Sequence, residues 1–154
     1  MTRSVVIADA SSIIALDNIR ELEVLRRLYT SITITPEVAS EFGRELRTWI
    51  QTREASKQSR QLLEFSRLDP GEASSIALAI DSDDPLLIID EKKGRRVAEH
   101  LGIDIIGIVG VLIKAKQAGF VREPESLLDR LESVDFRLSA ALRTRLMGAD
   151  DQIH

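Results

Sequence analysis

Two aspartates end the most strand-like apolar runs of the sequence. Asp9 follows VVIA at residues 5–8, and Asp90 follows LLII at residues 86–89. Short apolar runs of this kind are typical of buried parallel strands, and open α/β sheets bind ligands at the carboxyl ends of such strands. The two carboxylates are therefore candidates for acid chemistry or for binding a cation at one edge of a sheet.

Two glutamates are predicted to reach the same edge. The pattern places Glu41 and Glu72 near the starts of helices. Two unit charges about 4 Å apart repel by roughly 4 kcal/mol at an effective dielectric constant of 20, so converging acids would take up protons or bind a cation. The chain has no cysteine and only two histidines. Oxygen donors alone favour Mg²⁺ or Mn²⁺.

Each acid also has an ordinary structural role to weigh. Asp9 can cap the helix that follows it, and Asp90 has the same ambiguity. Glu72 ends DPGE at residues 69–72, which has the form of a capping box. Glu41 lies one helical turn after Glu37, and such a pair is commonly a solvated face. Only the combination of acids argues for chemistry, and a contribution from Glu37 stays open.

The elements that must position these acids alternate along the chain. Strands are predicted at residues 5–8, 32–34, 86–89 and 103–106. Segments with helical spacing lie between them, which favours a parallel sheet with helices on both faces.

Several helix boundaries follow from local signals. A capping box at residues 18–21 and Thr35-Pro36 each predict a helix start. Residues 44–67 are interpreted as two helices with an exposed polar connection. A helix over 92–101 should end at Gly102, because glycine suits a left-handed C-terminal position. The last two helices are predicted at 125–133 and 139–147.

Composition bounds the class of protein. A chain of 154 residues with 44% hydrophobic content is the size of one domain. We predict a domain over residues 1–147 and a flexible tail over 148–154. The net charge of −4 argues against coating nucleic acid through bulk positive charge. The start of the sequence lacks the long apolar stretch of a signal peptide, and no window is long enough to span a bilayer, so a cytoplasmic protein without membrane contact is expected.

Four motifs, taken in order, resemble those of PIN domains. They are VIADASS (6–12), ITPEVASE (34–41), LDPGEA (68–73) and IDEKKGRRVA (89–98). The most similar branch is that of VapC-like proteins, which also carries a helix like GIVGVL (107–112). The resemblance covers residues 5–121. It implies a three-layer α/β/α domain with a central, mostly parallel sheet of four or five strands.

The resemblance also implies a function. VapC-like PIN domains are metal-dependent endoribonucleases, and their metal-binding, catalytic acids fall here on Asp9, Glu41, Glu72 and Asp90. In this hypothesis Asp9 and Asp90 hold the principal Mg²⁺ or Mn²⁺, the two glutamates complete the site, and water attacks an RNA phosphodiester. Glu91 stands where many relatives have Asp, and Glu72 where many other PIN domains do. The number of direct ligands therefore stays open.

Substrate contacts are predicted from hydroxyl and cationic residues near the acids. Ser11 matches a small hydroxyl residue of the family, and the resemblance places an arginine at Arg95 or Arg96. Other cations either flank a groove or lie on solvated helix faces: Lys92, Lys93, Arg44, Arg47, Arg53, Lys57 and Arg60. Aromatic residues are few, so contacts to RNA should be mainly to phosphate.

Partners and competing functions follow from the same comparison. VapC-like proteins are typically toxins neutralised by a small antitoxin, and many form homodimers. Trp49, with its neighbours Leu46 and Ile50, either contributes to such an interface or belongs to the core. An aspartyl phosphatase of the haloacid dehalogenase type would want an aspartate at the position of Ser11, and the paired acids of a receiver domain are not found. The main alternative is a catalytically weak or inactive PIN-fold interaction module.

Overall fold

A five-stranded parallel sheet forms the centre of the molecule. The computed structural model describes residues 5–121, 123–133, 144–145 and 147–148. The strands are β1 (Val5–Ala8), β2 (Ile32–Ile34), β3 (Ile50–Thr52), β4 (Pro85–Ile88) and β5 (Asp104–Ile106). Their spatial order is β3-β2-β1-β4-β5, and every neighbouring pair is parallel.

Helices cover both faces of this sheet. They are α1 (Ala10–Asn18), α2 (Glu23–Tyr29), α3 (Pro36–Phe42), α4 (Lys57–Leu62), α5 (Pro70–Ile80), α6 (Lys92–His100), α7 (Ile108–Gln117) and α8 (Pro124–Ser133). Among these described helices, none is long and apolar enough to cross a membrane.

The core is divided in two by the sheet. In β1, Val6 and Ala8 pack into one apolar cluster with α1, α2, α3, α7 and α8, whereas Ile7 packs into the other with α5 and α6. Successive side chains of a strand point to opposite faces, so one strand supplies both clusters. The predicted three-layer α/β/α architecture is confirmed.

The strand order creates a switch point between β1 and β4. From β1 the chain passes outward through β2 to β3, and it then returns to β4 and continues to β5 on the other side. Connections on the two sides of such a point diverge, which opens a crevice at the carboxyl ends of the strands. Asp9 and Asp90 follow β1 and β4, so the topology alone brings them to this crevice.

The strand β3 corrects the helical interpretation of residues 44–67. Of its three residues only Ile50 is buried, and Gln51 and Thr52 are exposed. An edge strand with one buried residue has no apolar run, and only its pairing with β2 reveals it. The structure has one helix in this segment, α4, where two were predicted.

The helix start predicted at residues 18–21 is wrong, because Asn18 ends α1. Arg20 adopts a left-handed conformation with φ of 62°. The Arg20 and Glu21 N–H groups donate to the carbonyls of Asp17 and Leu16, at 3.0 and 2.8 Å. This is the hydrogen-bond pattern that ends many helices, here built without glycine. The next helix, α2, begins only at Glu23.

Other predicted boundaries are confirmed within one or two residues. Thr35 caps α3 with Pro36 in its first turn, and Gly102 follows α6 with φ of 76°. The helix α8 matches the one predicted at 125–133. The helix predicted at 139–147 and the tail at 148–154 lie largely outside the described residues.

A chain of buried hydrogen bonds joins the helices that carry Glu41 and Glu72. The Val38 N–H donates to Thr35 Oγ1 (3.2 Å), the Thr35 and Ser74 hydroxyls lie 2.7 Å apart, and Ser74 Oγ donates to the Gly71 carbonyl (2.9 Å). Ser74 has one hydroxyl proton, so Thr35 must donate to Ser74. This directed chain fixes the start of α3 against the first turn of α5.

Ser74→Ala should destabilise the protein more than Ser75→Ala. Both hydroxyls are buried and both donate to the Gly71 carbonyl, at 2.9 and 2.8 Å. Only the loss of Ser74 leaves the Thr35 hydroxyl without an acceptor, which costs about 1–3 kcal/mol. Urea unfolding of the two variants measures this difference. Equal losses of unfolding free energy would contradict the directed chain.

Candidate functional site

Asp9 and Asp90 lie side by side at the carboxyl edge of the sheet. Ala8 and Ile88 are paired in register, and the Asp9 N–H donates to the Ile88 carbonyl at 3.0 Å. Asp9 is 3% exposed and Asp90 is half-buried. The strand ends that carry the two acids are neighbours, as the two apolar runs predict.

Asp9 occupies the N-cap position of α1 but makes no side-chain capping bond. The Ser11 hydroxyl donates to Asp9 Oδ2 at 3.4 Å. Burial raises the pKa of Asp9 to about 6 against a hydrogen bond from the Ala10 N–H, and the charges of Asp69 and Glu41 add to the rise. The capping role weighed for Asp9 is therefore not the one that its carboxylate performs.

Three carboxylates from three different elements converge on the backbone of Gly71. A Cβ atom built there would lie 3.0 Å from Glu41 Oε1, 3.4 Å from Asp69 Oδ1 and 3.6 Å from Asp9 Oδ1. Glycine leaves this space open to the acids, whereas a Cβ atom would crowd the Glu41 carboxylate. We name Asp9, Glu41, Asp69 and Glu72 the acidic cluster.

Glu72 is the most perturbed member of the acidic cluster. It is 7% exposed, and its Oε2 has no hydrogen-bond partner among the described residues. Burial, a hydrogen bond with Asp69 and the charges of Asp69, Asp9 and Glu91 raise its pKa to about 8. Asp69 does accept the Glu72 N–H at 2.8 Å, as a capping box requires. The buried Glu72 Oε2 atom is therefore available to a further ligand.

Glu41 joins the cluster from an unexpected position. It lies in the last turn of α3, which corrects its predicted place near the start of a helix. Burial raises its pKa, and the charge of Asp69 adds to the rise. Glu37, in the first turn of the same helix, instead pairs with Arg60 at 3.5 Å. One helical turn therefore separates an acid of the cluster from an acid that faces α4.

Asp90 is held by the elements on both sides of it. Its carboxylate accepts the Ile108 N–H at 3.1 and 3.2 Å and the Ser12 hydroxyl at 3.2 Å. A Cβ at Gly107 would lie 2.7 Å from Asp90 Oδ1, so this contact requires glycine. Burial raises the pKa of Asp90, opposed by these hydrogen bonds and by the Arg95 charge.

Two residues of the site were missed by sequence reasoning. Asp69 was assigned only to a helix start, yet its charge acts on Asp9, Glu41 and Glu72. The available signal was an acid at an N-cap two residues before glycine in the DPGE motif. Ser12 lies three residues after Asp9, and that spacing places its hydroxyl one turn into α1, within reach of the next strand end.

Of the residues predicted to bind substrate, Ser11 and Arg95 line a cavity and Arg96 does not. Arg95 donates to the Ile89 carbonyl at 3.0 Å and, with Ser11, lines a cavity beside Asp90. Arg96 is exposed and is not among the described residues that line this cavity. Glu91 is exposed at the N-cap of α6.

Most of the other cations named from the sequence are occupied elsewhere. Arg44 and Arg47 pair with Asp17 at 2.6 and 3.0 Å, and Arg60 pairs with Glu54 at 3.0 Å. Further hydrogen bonds link Arg53 to Ser82 and Lys93 to the Arg67 carbonyl. Trp49 and Leu46 pack against the larger core cluster, as the core alternative for Trp49 predicts.

Comparison with known proteins adds the family. A family model described as a PIN domain matches residues 5–150. The chain belongs to the PIN domain family. No curated protein matches it, and no solved structure does. PIN domains are generally metal-dependent nucleases, so a nucleic acid is the substrate that this fold implies and a divalent metal ion is the typical cofactor.

The potential metal ligands at this edge of the PIN domain are of the chemical type that a hard divalent cation prefers. They are carboxylate oxygens, one of which, on Glu72, has no hydrogen-bond partner among the described residues. Burial first, and then the neighbouring carboxylates, raise the pKa of Asp9 and Glu72, and a bound cation would offset both effects. Among the described residues, however, no three His, Asp or Glu side chains form a ready-made metal-binding group.

The metal-free protein should lose stability as the pH rises from about 4 to 8. Unfolded Asp9 releases its proton near its ordinary pKa of 3.8, while folded Asp9 keeps it until about pH 6. As the pH rises, the unfolded state therefore loses this proton before the folded state does, and the free energy of unfolding falls. The raised pKa of Glu72 extends this fall toward pH 8. Asp9→Asn should be more stable than wild type at pH 7.5 by about 2–3 kcal/mol, with the difference vanishing below pH 4.

Urea unfolding in EDTA across this pH range tests the shift. Glu37→Gln is the control, because Glu37 lies outside the acidic cluster. An Asp9→Asn difference that stays constant with pH would contradict the raised pKa.

Proposed function

We propose that this PIN domain is a Mg²⁺- or Mn²⁺-dependent endoribonuclease. The observation that carries the proposal is the convergence of Asp9, Glu41 and Asp69 at Gly71, with Asp90 at the neighbouring strand end. Burying like charges together costs free energy that the fold alone does not offset. RNA, rather than DNA, is supported by the similarity of the four motifs to those of VapC-like ribonucleases.

The chain's own residues divide the work of the proposed site. Asp9, Glu41, Glu72 and Asp90 hold the cation, and Asp69 adds charge that strengthens the binding. When bound, the cation supplies Lewis acidity and charge neutralisation for hydrolysis of a phosphodiester. The Ile108 N–H and the Ser12 hydroxyl keep the Asp90 carboxylate oriented. Fixed donors of this kind typically improve metal affinity by restricting the ligand.

The substrate approaches over residues that the acidic cluster does not occupy. Ser11 is exposed beside Asp9, and Arg95 lies between Asp90 and the solvent-open cavity. Arg95 is partly engaged by the Ile89 carbonyl, which leaves its remaining N–H groups for phosphate. Arg96 supplies longer-range attraction from the exposed face of α6.

Single-stranded RNA should be cleaved with Mg²⁺ or Mn²⁺ present and not after chelation. Asp9→Asn and Glu41→Gln should each reduce the cleavage rate by about 100-fold or more, because each removes a ligand charge. The matched control is Glu37→Gln, which changes a glutamate of the same helix that pairs with Arg60 and should cleave normally. Equal cleavage by wild type and Asp9→Asn would end the proposal.

We further propose that the protein acts as the toxin of a toxin–antitoxin pair, with a small protein antitoxin and a homodimeric assembly. The support is the motif similarity to the VapC-like branch. Induced expression of wild type in bacteria should arrest growth, and Asp9→Asn should not. Growth arrest by both forms would separate toxicity from the acidic cluster.

The alternative function is an interaction module that kept the PIN fold without catalysis. It is favoured by one observation, the lack of a ready-made three-acid group among the described residues. Binding of Mn²⁺ distinguishes the two functions: at tenfold excess over its dissociation constant, it should raise the melting temperature of the nuclease by about 3–6 °C. No stabilisation by millimolar Mn²⁺ would favour the interaction module.

A further inference from the structure

A cavity of about 690 Å³ lies on the side of Asp90 away from the acidic cluster. Its apolar wall comes from β5 and α7 and includes Ile105, Ile106 and Val109. Its polar wall comes from the start of α6 and includes Glu91, Lys92 and Arg95. The cavity therefore joins the proposed reaction centre to a surface that can accept both a base and a phosphate.

Arg145 lines the same cavity, although it is distant in sequence from the other lining residues. It adds a third positive charge to those of Lys92 and Arg95. On the opposite side of Asp9 the side chains are those of the acidic cluster. The carboxylates of Asp90 and Glu91 also line the cavity, so its three cations leave it with a small net positive charge, whereas the acidic cluster is negative. A polyanion is therefore favoured on the cavity side.

A buried lysine anchors the part of the chain that carries Arg145. Lys116, near the end of α7, is 7% exposed, and its Nζ donates to the Met147 carbonyl at 3.0 Å. Burying an ammonium group is costly unless it is hydrogen-bonded, so this contact contributes to holding the segment in place. Met147 lies two residues after Arg145, and the anchor therefore restrains the position of the arginine.

We propose that Arg145 completes the nucleic-acid site by binding a phosphate of single-stranded RNA adjacent to the cleaved one. The proposal rests on the proposed ribonuclease function. Lys92 and Arg95 contact the strand from α6, Arg145 contacts it from the C-terminal segment, and a base lies against the apolar wall. Lys116 is a positioning residue that acts through the Met147 carbonyl.

Salt dependence of RNA binding tests this role. We would measure fluorescence anisotropy of a labelled single-stranded RNA with the full chain carrying Asp9→Asn, which prevents cleavage. Arg145→Gln should weaken binding about three- to tenfold and reduce the slope of log affinity against log salt by about 0.7, the value for one phosphate contact on a single strand. Arg145→Lys should restore most of the slope, because a point charge suffices.

The control is Arg20→Gln, which removes the same charge from an exposed arginine beyond the far end of α1. Its slope should equal that of the parent. Lys116→Met should give a defect similar to that of Arg145→Gln, and the two changes combined should be less than additive. Thermal unfolding of Lys116→Met verifies that this buried substitution leaves the protein folded.

Three outcomes would overturn the inference. If the parent binds RNA and Arg145→Gln leaves the slope unchanged, Arg145 makes no phosphate contact and the ribonuclease proposal is untouched. If Arg145→Gln in the otherwise wild-type chain cleaves RNA faster, the segment obstructs the site. If wild type neither binds nor cleaves RNA, the inference falls together with the proposed function.

Discussion

Repulsion among buried carboxylates is the constraint on which this structure depends. Asp9 and Glu72 are almost fully buried. The charge of Asp69 adds to the rise in the pKa of both, and the charge of Glu41 adds to that of Asp9. Glu41, Asp69 and Asp9 also lie close together at Gly71. A sequence selected for stability alone would separate these charges or pair them with arginines, as Asp17 is paired with Arg44 and Arg47. Within the acidic cluster no described ion pair does so. The stored electrostatic cost is what a bound divalent cation would relieve.

The fold holds these charges together by ordinary means. Two apolar clusters on opposite faces fix the sheet, and the sheet places the ends of β1 and β4 next to each other. The close approach of the carboxylates to the backbone then depends on two glycines, because a Cβ atom at Gly71 or Gly107 would crowd the carboxylates. The hydrogen bonds that run from Val38 through Thr35 and Ser74 to the Gly71 carbonyl keep α3 and α5 in register. Stability of the core is thus used to maintain an unfavourable local arrangement.

Charge is distributed unevenly around the carboxyl edge of the sheet. The side of α3 and α5 carries the acidic cluster, whereas the side of α6 and α7 carries Lys92, Arg95 and Arg145 together with the carboxylates of Asp90 and Glu91. A chain with a net charge of −4 can therefore still present a local surface suited to a polyanion. Arg60 on α4 does not line this cavity and instead pairs with Glu37 and Glu54.

Local sequence determined those features whose signals are complete within a few residues. The apolar runs before Asp9 and Asp90, the Thr35-Pro36 helix start and the glycine after α6 all specify their structure by burial or backbone geometry, and they were predicted correctly. Motif order was sufficient for the family and the three-layer fold. Tertiary structure alone decided β3, since an edge strand with one buried residue exists only through its partner. It also decided that Asp69 joins the cluster while Glu37 turns to Arg60, because the electrostatic role of a carboxylate depends on which charges distant segments bring beside it.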